Sequence, residues 1–451
     1  MSAYPLPSSQ SRSGLLTDLY QLAMGESYVA EGLAEVEATF SLFYRTLPPG
    51  WGYLLAAGLD DALRYLESVT FSEDDLAFLE RTGRFSAAFL ERLRGFSFSG
   101  DVRALPEGTP VFPNEPLLEV TAPIVEAQIV ETMVLNEIHL QTLIASKAGR
   151  CVDAARGRML VDFSLRRTHG GEAGLKVARA SFLAGFDATS NVLAGKLYGV
   201  PIAGTMAHSY VEAFGDELEA FRAFARAYPD GAILLVDTYD TVEGVRRAVE
   251  VGRELAAAGH RLRGVRLDSG NLAELSLTAR ALLDAAGFQD AIVFCSGGLD
   301  EREIDRLLSL GAPIGGFGVG SKLGVSADAP FLDMAYKLVE VAGRPTLKLS
   351  TGKATLPGRK QVWRVLREGK LAYDVLGLES EPWRGEGEPL LQPAMTGGKR
   401  VWFESLDTIR ERARDQREKL PPALRSVDAG RYEVRLDPAL SRLRDRLAEA
   451  R

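Results

Sequence analysis

The chain is predicted to be an α/β protein with a parallel sheet, closed or nearly closed, and three observations in its 451 residues carry that reading. Short apolar runs recur as MLVDF (159–163), VPIAG (200–204), AILLVD (232–237), LRGVRLD (262–268), AIVFCSG (291–297) and PIGGFGVGS (313–321). Amphipathic stretches such as TVEGVRRAVEVGRELAAAGH and NLAELSLTARALLDAAG lie between most of them. The repeat, about 25 to 35 residues per strand and helix, is that of consecutive βα units. Each run carries Asp, Ser or Gly at or next to its end, so the C-terminal rim of the sheet is where chemistry is expected.

The flanking segments have a different texture. After a polar, Pro/Ser-rich leader, MSAYPLPSSQSRSG, the stretch LLTDLYQLAMGESYVAEG spaces its apolar residues as a helix, and EATFSLFYRTLPPG reads as a strand ending in a turn. Helical patterns follow from Leu54 to Ser68 and through the seventies and eighties. Phe96 to Thr121 is a set of short extended pieces broken by Gly and Pro, as in a small antiparallel sheet. A long helix is expected from Ala122 to about Ala148, where no residue breaks the periodicity. Beyond Leu338, VEVAGRPTLKLSTGK and QVWRVLREGKLAYDVLGL read again as strands and hairpins that complete the sheet of the first region. The tail from Leu406 is charged and helical around one strand-like piece, RYEVRLD. The expected boundaries are residues 1–125 and 341–451 for the two parts of the flanking domain and 126–340 for the parallel one.

Composition narrows the partners. A net charge of −8 argues against a nucleic-acid-binding protein, which needs a concentrated basic face. Only two cysteines, Cys151 and Cys295, occur, in no paired motif, so neither a disulfide framework nor a structural zinc site is expected. With no signal-peptide core and no run long enough to span a bilayer, the expected location is the cytoplasm, without a membrane partner.

The rim residues supply the chemistry. CSGGLDE places Ser296, Gly297 and Gly298 before a helix, and GGFGVGSKLG places Gly318, Gly320 and Ser321 after the next strand. Glycine lets backbone N–H groups approach an oxyanion, and two such loops in adjacent units form the phosphate grip of many barrels. ILLVDTYDT and GVRLDSGN put Asp237 and Asp268 at the ends of two middle strands, with Arg266 on the same face as Asp268. Carboxylates beside a phosphate site need a cation or sugar hydroxyls between them, so Mg²⁺ or a ribose fits there; each Asp taken alone reads equally as a helix cap. DFSLRRTHGG adds Arg166 and Arg167, of which one facing the mouth suits a small acid or a phosphate. His208, in GTMAHSYVEAF, is one of four histidines; in isolation it reads most simply as a hydrogen-bonded ring at a strand end.

Taken in order, LLTDLYQLAM, DFSLRRTHG, GFDATSNVLAGKLYGVPIAGTMAHSYVEAF, LLVDTYDT, GVRLDSGNL and GVGSKLG resemble the nicotinate phosphoribosyltransferase family, from about Gly14 to the tail, where RYEVRLDPAL is also similar. The resemblance implies a type II phosphoribosyltransferase fold, an irregular TIM-like α/β barrel joined to an α/β sandwich domain made from both chain ends. It implies that nicotinate and phosphoribosyl pyrophosphate give nicotinate mononucleotide and pyrophosphate, with ATP hydrolysis as the coupled reaction, in NAD salvage. It also implies a homodimer. A nicotinamide- or quinolinate-specific sister enzyme and a non-catalytic sugar-phosphate-binding protein are the alternatives.

Carried over by position, the resemblance makes His208 the residue that ATP phosphorylates, with Asp237 orienting its other nitrogen. Tyr20 would stack on the pyridine from the neighbouring subunit, Arg166 and Arg266 would contact the nicotinate carboxylate or phosphates, and Thr205 would line the nicotinate pocket. Ser296, Gly297, Gly298, Gly318, Gly320 and Ser321 would hold phosphoribosyl phosphate, and Asp268 would serve catalysis and Mg²⁺. Asn271 departs from the family, where an aspartate is expected in many relatives. His169 lies near the expected mouth, His139 is expected within a helix and His260 on the surface.

Overall fold

The computed structural model describes residues 13–349, 355–381 and 383–450, so most of the Pro/Ser-rich leader and the STGK part of the predicted strand after Leu338 lie outside the described residues. The chain divides into two compact units, Met1–Ser146 with Phe331–Arg451, and Lys147–Pro330.

In the first unit the two chain ends share one sheet. Strand Glu37–Tyr44 is flanked by Pro116–Pro123 and Met334–Val341, both antiparallel to it. The order continues through Asp101–Ala104 to Gln392–Thr396, so strands from late sequence flank a block of three early ones on both sides. The strand Glu37–Tyr44 is buried on nearly all its length, and Phe40 stacks on Tyr336 of the late strand at 4.9 Å. A second, four-stranded sheet holds the hairpin Lys360–Arg367 and Lys370–Leu378 with Val434–Leu436 from the tail motif RYEVRLD. Its turn places Glu368 and Gly369 both at positive φ, the conformation that matches the twist of a tight hairpin. The buried Lys360 ammonium meets Glu119 at 3.0 Å, joining the late hairpin to the early sheet.

The long helix differs from expectation at its start. Strand Pro116–Pro123 runs past Ala122, a helical turn occupies Ile124–Ile129, and the main helix is Glu131–Ala155. Ala122 pairs with Ala38 and Pro123 with Glu37, so ladder pairing overrides the local helical periodicity for these two residues.

The second unit is the predicted βα succession. Its six parallel strands run in the order Ala188–Thr189, Met159–Asp162, Gly316–Val319, Ile292–Ser296, Gly264–Leu267, Ile233–Leu235. VPIAG is not a strand but a single parallel bridge, Ile202 to Thr189, because Pro201 offers no N–H to a ladder. The sheet therefore has two edges, and no pairing closes it among the described residues. Leu234, Leu235, Val265, Leu267, Phe317 and Val319 are all fully buried, each worth about 1.5–3 kcal/mol of apolar transfer. No helix among the described residues is long and apolar enough to cross a membrane.

Candidate active site

The rim is organised by strand ends. Buried Asp162, last in its strand, accepts bonds from Ser164 N at 2.9 Å and from Thr189 Oγ1 at 2.8 Å. Burial raises its pKa even though both hydrogen bonds favour the charged form. These bonds fix the turn that leads into Leu165–Arg167, from which Arg166 reaches the rim. Phe163, Arg166, Ser190, Gly204–His208, Arg266 and Asp268 line an open cleft of about 390 Å³.

At the centre stands Arg266, with an 11% exposed side chain. Its Nε donates to Ser296 Oγ at 2.8 Å, one terminal nitrogen to Thr205 Oγ1 at 2.9 Å and Met206 O at 3.2 Å, and the other to Asp268 Oδ1 at 2.7 Å. The guanidinium also lies 5.3 Å from the centre of the Phe163 ring. Strand alternation puts Arg266 and Asp268 on one face, and a direct ion pair joins them there. Burial pushes the Asp268 carboxyl up, but Ser296, which also donates to it, Arg266 and the nearby His208 outweigh burial and hold its pKa below the usual carboxylate range.

His208 opens helix His208–Phe214, with Ala207 as its N-cap. Its Nδ1 is 3.1 Å from Thr238 Oγ1, and its Nε2 is 3.9 Å from Asp268 Oδ2. The expectation that Asp237 orients the ring is corrected here. Asp237 Oδ2 instead accepts from Asp268 N at 2.8 Å and Ser269 Oγ at 2.7 Å, and the residue after it reaches the imidazole. Its other oxygen is buried and has no hydrogen-bond partner among the described residues.

The helix-cap reading of the two aspartates is also resolved. Helix Thr241–Ala257 is capped by Asp240, and helix Leu272–Ala285 begins at Asn271, whose side chain makes no cap bond. Asp237 and Asp268 serve the rim instead.

The two glycine loops are not equivalent. Gly297, at φ +90°, turns so closely over the Asp268 carbonyl that a Cβ would lie 2.0 Å from that oxygen, whereas Gly298, at φ +64°, faces open space. Gly318 lies inside strand Gly316–Val319, and the Phe163 ring fills the place of a side chain at 2.4 Å. Gly320 and the exposed Ser321 lie at the start of the following turn. Gly318 is thus brought to the packing behind the cleft, and Ser296, Gly297, Gly298, Gly320 and Ser321 to loop ends.

Tyr20 belongs to the first unit, half exposed on helix Leu19–Ala30; burial, then the charges of Glu131 and Asp18, push its phenol up to about 12. His169 is exposed, His139 lies in the long helix, and His260 pairs with Asp230 at 2.9 Å. Sequence reasoning missed Thr238, Ser190 and Phe163; for Thr238 the available signal was its place directly after a strand-terminal aspartate. No group of three His, Cys, Asp or Glu side chains forms a metal cluster among the described residues.

Comparison with known proteins agrees with the geometry. Residues 15–139 match the model of the nicotinate phosphoribosyltransferase N-terminal domain, and residues 159–367 that of the nicotinate phosphoribosyltransferase family. A nicotinate phosphoribosyltransferase of Mycobacterium tuberculosis is 52% identical over 94% of this chain and 91% of its own. The crystal structure of the human nicotinic acid phosphoribosyltransferase superposes with a TM-score of 0.85 at 31% identity, covering 96% of this chain and 99% of that one. The structure of a nicotinate-nucleotide pyrophosphorylase from Pyrococcus furiosus gives a TM-score of 0.76 at 26% identity, covering 93% and 99%. The chain belongs to the nicotinate phosphoribosyltransferase family, and with it to the phosphoribosyl-transferring enzymes of NAD salvage.

Proposed function

We propose that the cleft joins nicotinate to phosphoribosyl pyrophosphate and that ATP drives the reaction by phosphorylating His208. The observation that carries this reading is the imidazole at the cleft wall, its Nδ1 engaged by Thr238 and its Nε2 free of hydrogen bonds among the described residues. A neutral imidazole held by one nitrogen presents the other's lone pair as a phosphoryl acceptor near neutral pH.

Arg166 and Arg266 line the cleft as its cationic side chains. Arg266 already holds Asp268, Ser296, Thr205 and Met206, whereas Arg166 is exposed and makes no hydrogen bond or ion pair among the described residues. One uncommitted guanidinium suits a monocarboxylate such as nicotinate better than the diacid quinolinate, and gives the amide of nicotinamide no acceptor. Thr205 lines the same wall. The loop ends at Ser296–Gly298 and Gly320–Ser321 are the phosphate-binding elements in this reading.

The rim fits a magnesium ion on the observation that Asp237 keeps one buried oxygen unpartnered, since Mg²⁺ is usually held by one or two carboxylates and substrate phosphates. Asp237 and Asp268 would hold it, and bound there it would neutralise charge on the departing pyrophosphate. The remaining work is positioning: Arg266 fixes the carboxylate of Asp268 and the backbone of the His208 segment, and no protein nucleophile attacks the sugar. The same reading includes closure of the parallel sheet as an irregular TIM-like barrel, a cytoplasmic location, and a homodimer with Tyr20 contributed across the interface.

Turnover with nicotinate, nicotinamide and quinolinate in competition, with and without ATP, tests the proposal. Preference for nicotinate with ATP stimulation is expected; equal use of either rival pyridine would overturn it.

A further inference from the structure

Lys322 and Asp300 lie on the two different glycine loops and meet. Asp300 follows Gly297, Gly298 and Leu299 and caps helix Glu301–Ser309, its Oδ1 accepting from Glu303 N at 2.9 Å. Its Oδ2 receives Lys322 Nζ at 2.7 Å, and Lys322 follows Gly320 and Ser321. Strand pairing alone joins the two loops lower down, where Ser296 stands opposite Gly318. Beyond that register the backbone leaves the sheet, and the ion pair is a direct tie between the two loop ends.

The tie is anchored from behind. Glu301, next to Asp300, is 1% exposed and ion-paired with Lys147 and with Arg150, whose Nε is 3.0 Å away. Lys147 also pairs with Asp328, which follows the Lys322 helical turn. Both loops are thus fastened to helix Glu131–Ala155, one through Glu301 and the other through Asp328. The Asp300 carboxylate is 17% exposed and the Lys322 side chain 43%, so the pair is sheltered from solvent on the carboxylate side only.

We infer that the Asp300–Lys322 ion pair sets the separation of the two glycine loops and thereby positions them for the sugar phosphate, without either residue touching the reacting atoms. This rests on the assignment of those loops to phosphoribosyl pyrophosphate. A phosphate seated between two loops is bound through backbone N–H groups whose spacing must match its oxygens, so loosening one loop weakens binding of the phosphorylated sugar and leaves the pyridine pocket unchanged. Lys322 bound to Asp300 is a spacer rather than a free cation offered to the ligand.

The test is a double-substitution cycle of Asp300→Asn, Lys322→Met and the pair. Asparagine keeps the oxygen that caps Glu303 N while removing the charge. Each single substitution is expected to raise KM for phosphoribosyl pyrophosphate about tenfold, with KM for nicotinate and the melting temperature nearly unchanged. The double variant should be no worse than either single, and Lys322→Arg should restore most of the loss. Binding of ribose 5-phosphate, measured by calorimetry on the same proteins, should fall in parallel. Losses that multiply in the double variant, equal effects on both substrates, or unchanged ribose 5-phosphate binding in the variants would overturn the inference. Wild-type protein that binds ribose 5-phosphate in a pair-dependent way but gives no turnover with nicotinate would instead overturn the reaction assignment alone.

Discussion

The imidazole of His208 is held by the hydroxyl of Thr238, Nδ1 to Oγ1 at 3.1 Å, with Asp237, the neighbour in sequence, turned away to bond Asp268 N and Ser269 Oγ. A hydroxyl can accept from a protonated Nδ1 or donate to a bare one, so it steadies the ring in either tautomer. Thr238→Val keeps the shape and removes that bond. A neutral hydrogen bond is worth about 1 kcal/mol, which predicts about a fivefold loss in the rate of His208 phosphorylation by ATP. Thr238→Ser should retain the wild-type rate; acid-labile phosphate incorporation distinguishes them.

Arg266 is more than a ligand reader. Arg266→Ala leaves Asp268 without its ion-pair partner and frees the Thr205–Met206 backbone. Bonds to charged groups are worth about 1.5–3 kcal/mol, so a lower melting temperature should accompany a raised KM for nicotinate. Arg266→Lys should recover little of either, because an ammonium cannot span Ser296, Thr205 and Asp268 together. Thermal unfolding beside steady-state kinetics checks both.

The glycine loops give a graded prediction. Gly298→Ala meets open space at φ +64° and should cost about 1–2 kcal/mol for the left-handed backbone alone. Gly297→Ala carries the same strain and drives a methyl to 2.0 Å from the Asp268 carbonyl, so it should be clearly the more damaging of the two. Denaturant unfolding ranks them, and equal losses would remove the packing role assigned to Gly297.

His139 supplies a pH dependence away from the cleft. Burial lowers its pKa from the ordinary 6.5, and its Nε2 accepts Leu332 N–H at 2.9 Å. The folded chain then binds fewer protons than the unfolded one in this range, so stability rises with pH and is lost as pH falls below 6.5 towards the lowered folded value. His139→Gln keeps an acceptor and should flatten that slope, as read from unfolding midpoints between neutral and acidic pH.

The parallel strands were legible because a sheet buried on both faces writes itself as uninterrupted apolar runs, as in ILLVD and IVFCS. The Arg266–Asp268 pair was legible from strand alternation. The partner of His208 was not: Thr238 and Asp237 are adjacent, and which of them reaches the ring depends on the turn after Leu235, not on residue type. Gly318 shows the same limit, since a glycine that admits a phosphate and one that admits Phe163 look alike in sequence. The Asp300–Lys322 tie joins residues 22 positions apart through two loops, beyond the reach of any local pattern.

The most direct measurement compares wild type with His208→Ala for nicotinate mononucleotide formation and acid-labile phosphate, each with and without ATP. The account predicts that the variant carries no phosphate and loses all ATP stimulation while keeping a slow, ATP-independent transfer. A variant that still responds fully to ATP would contradict it.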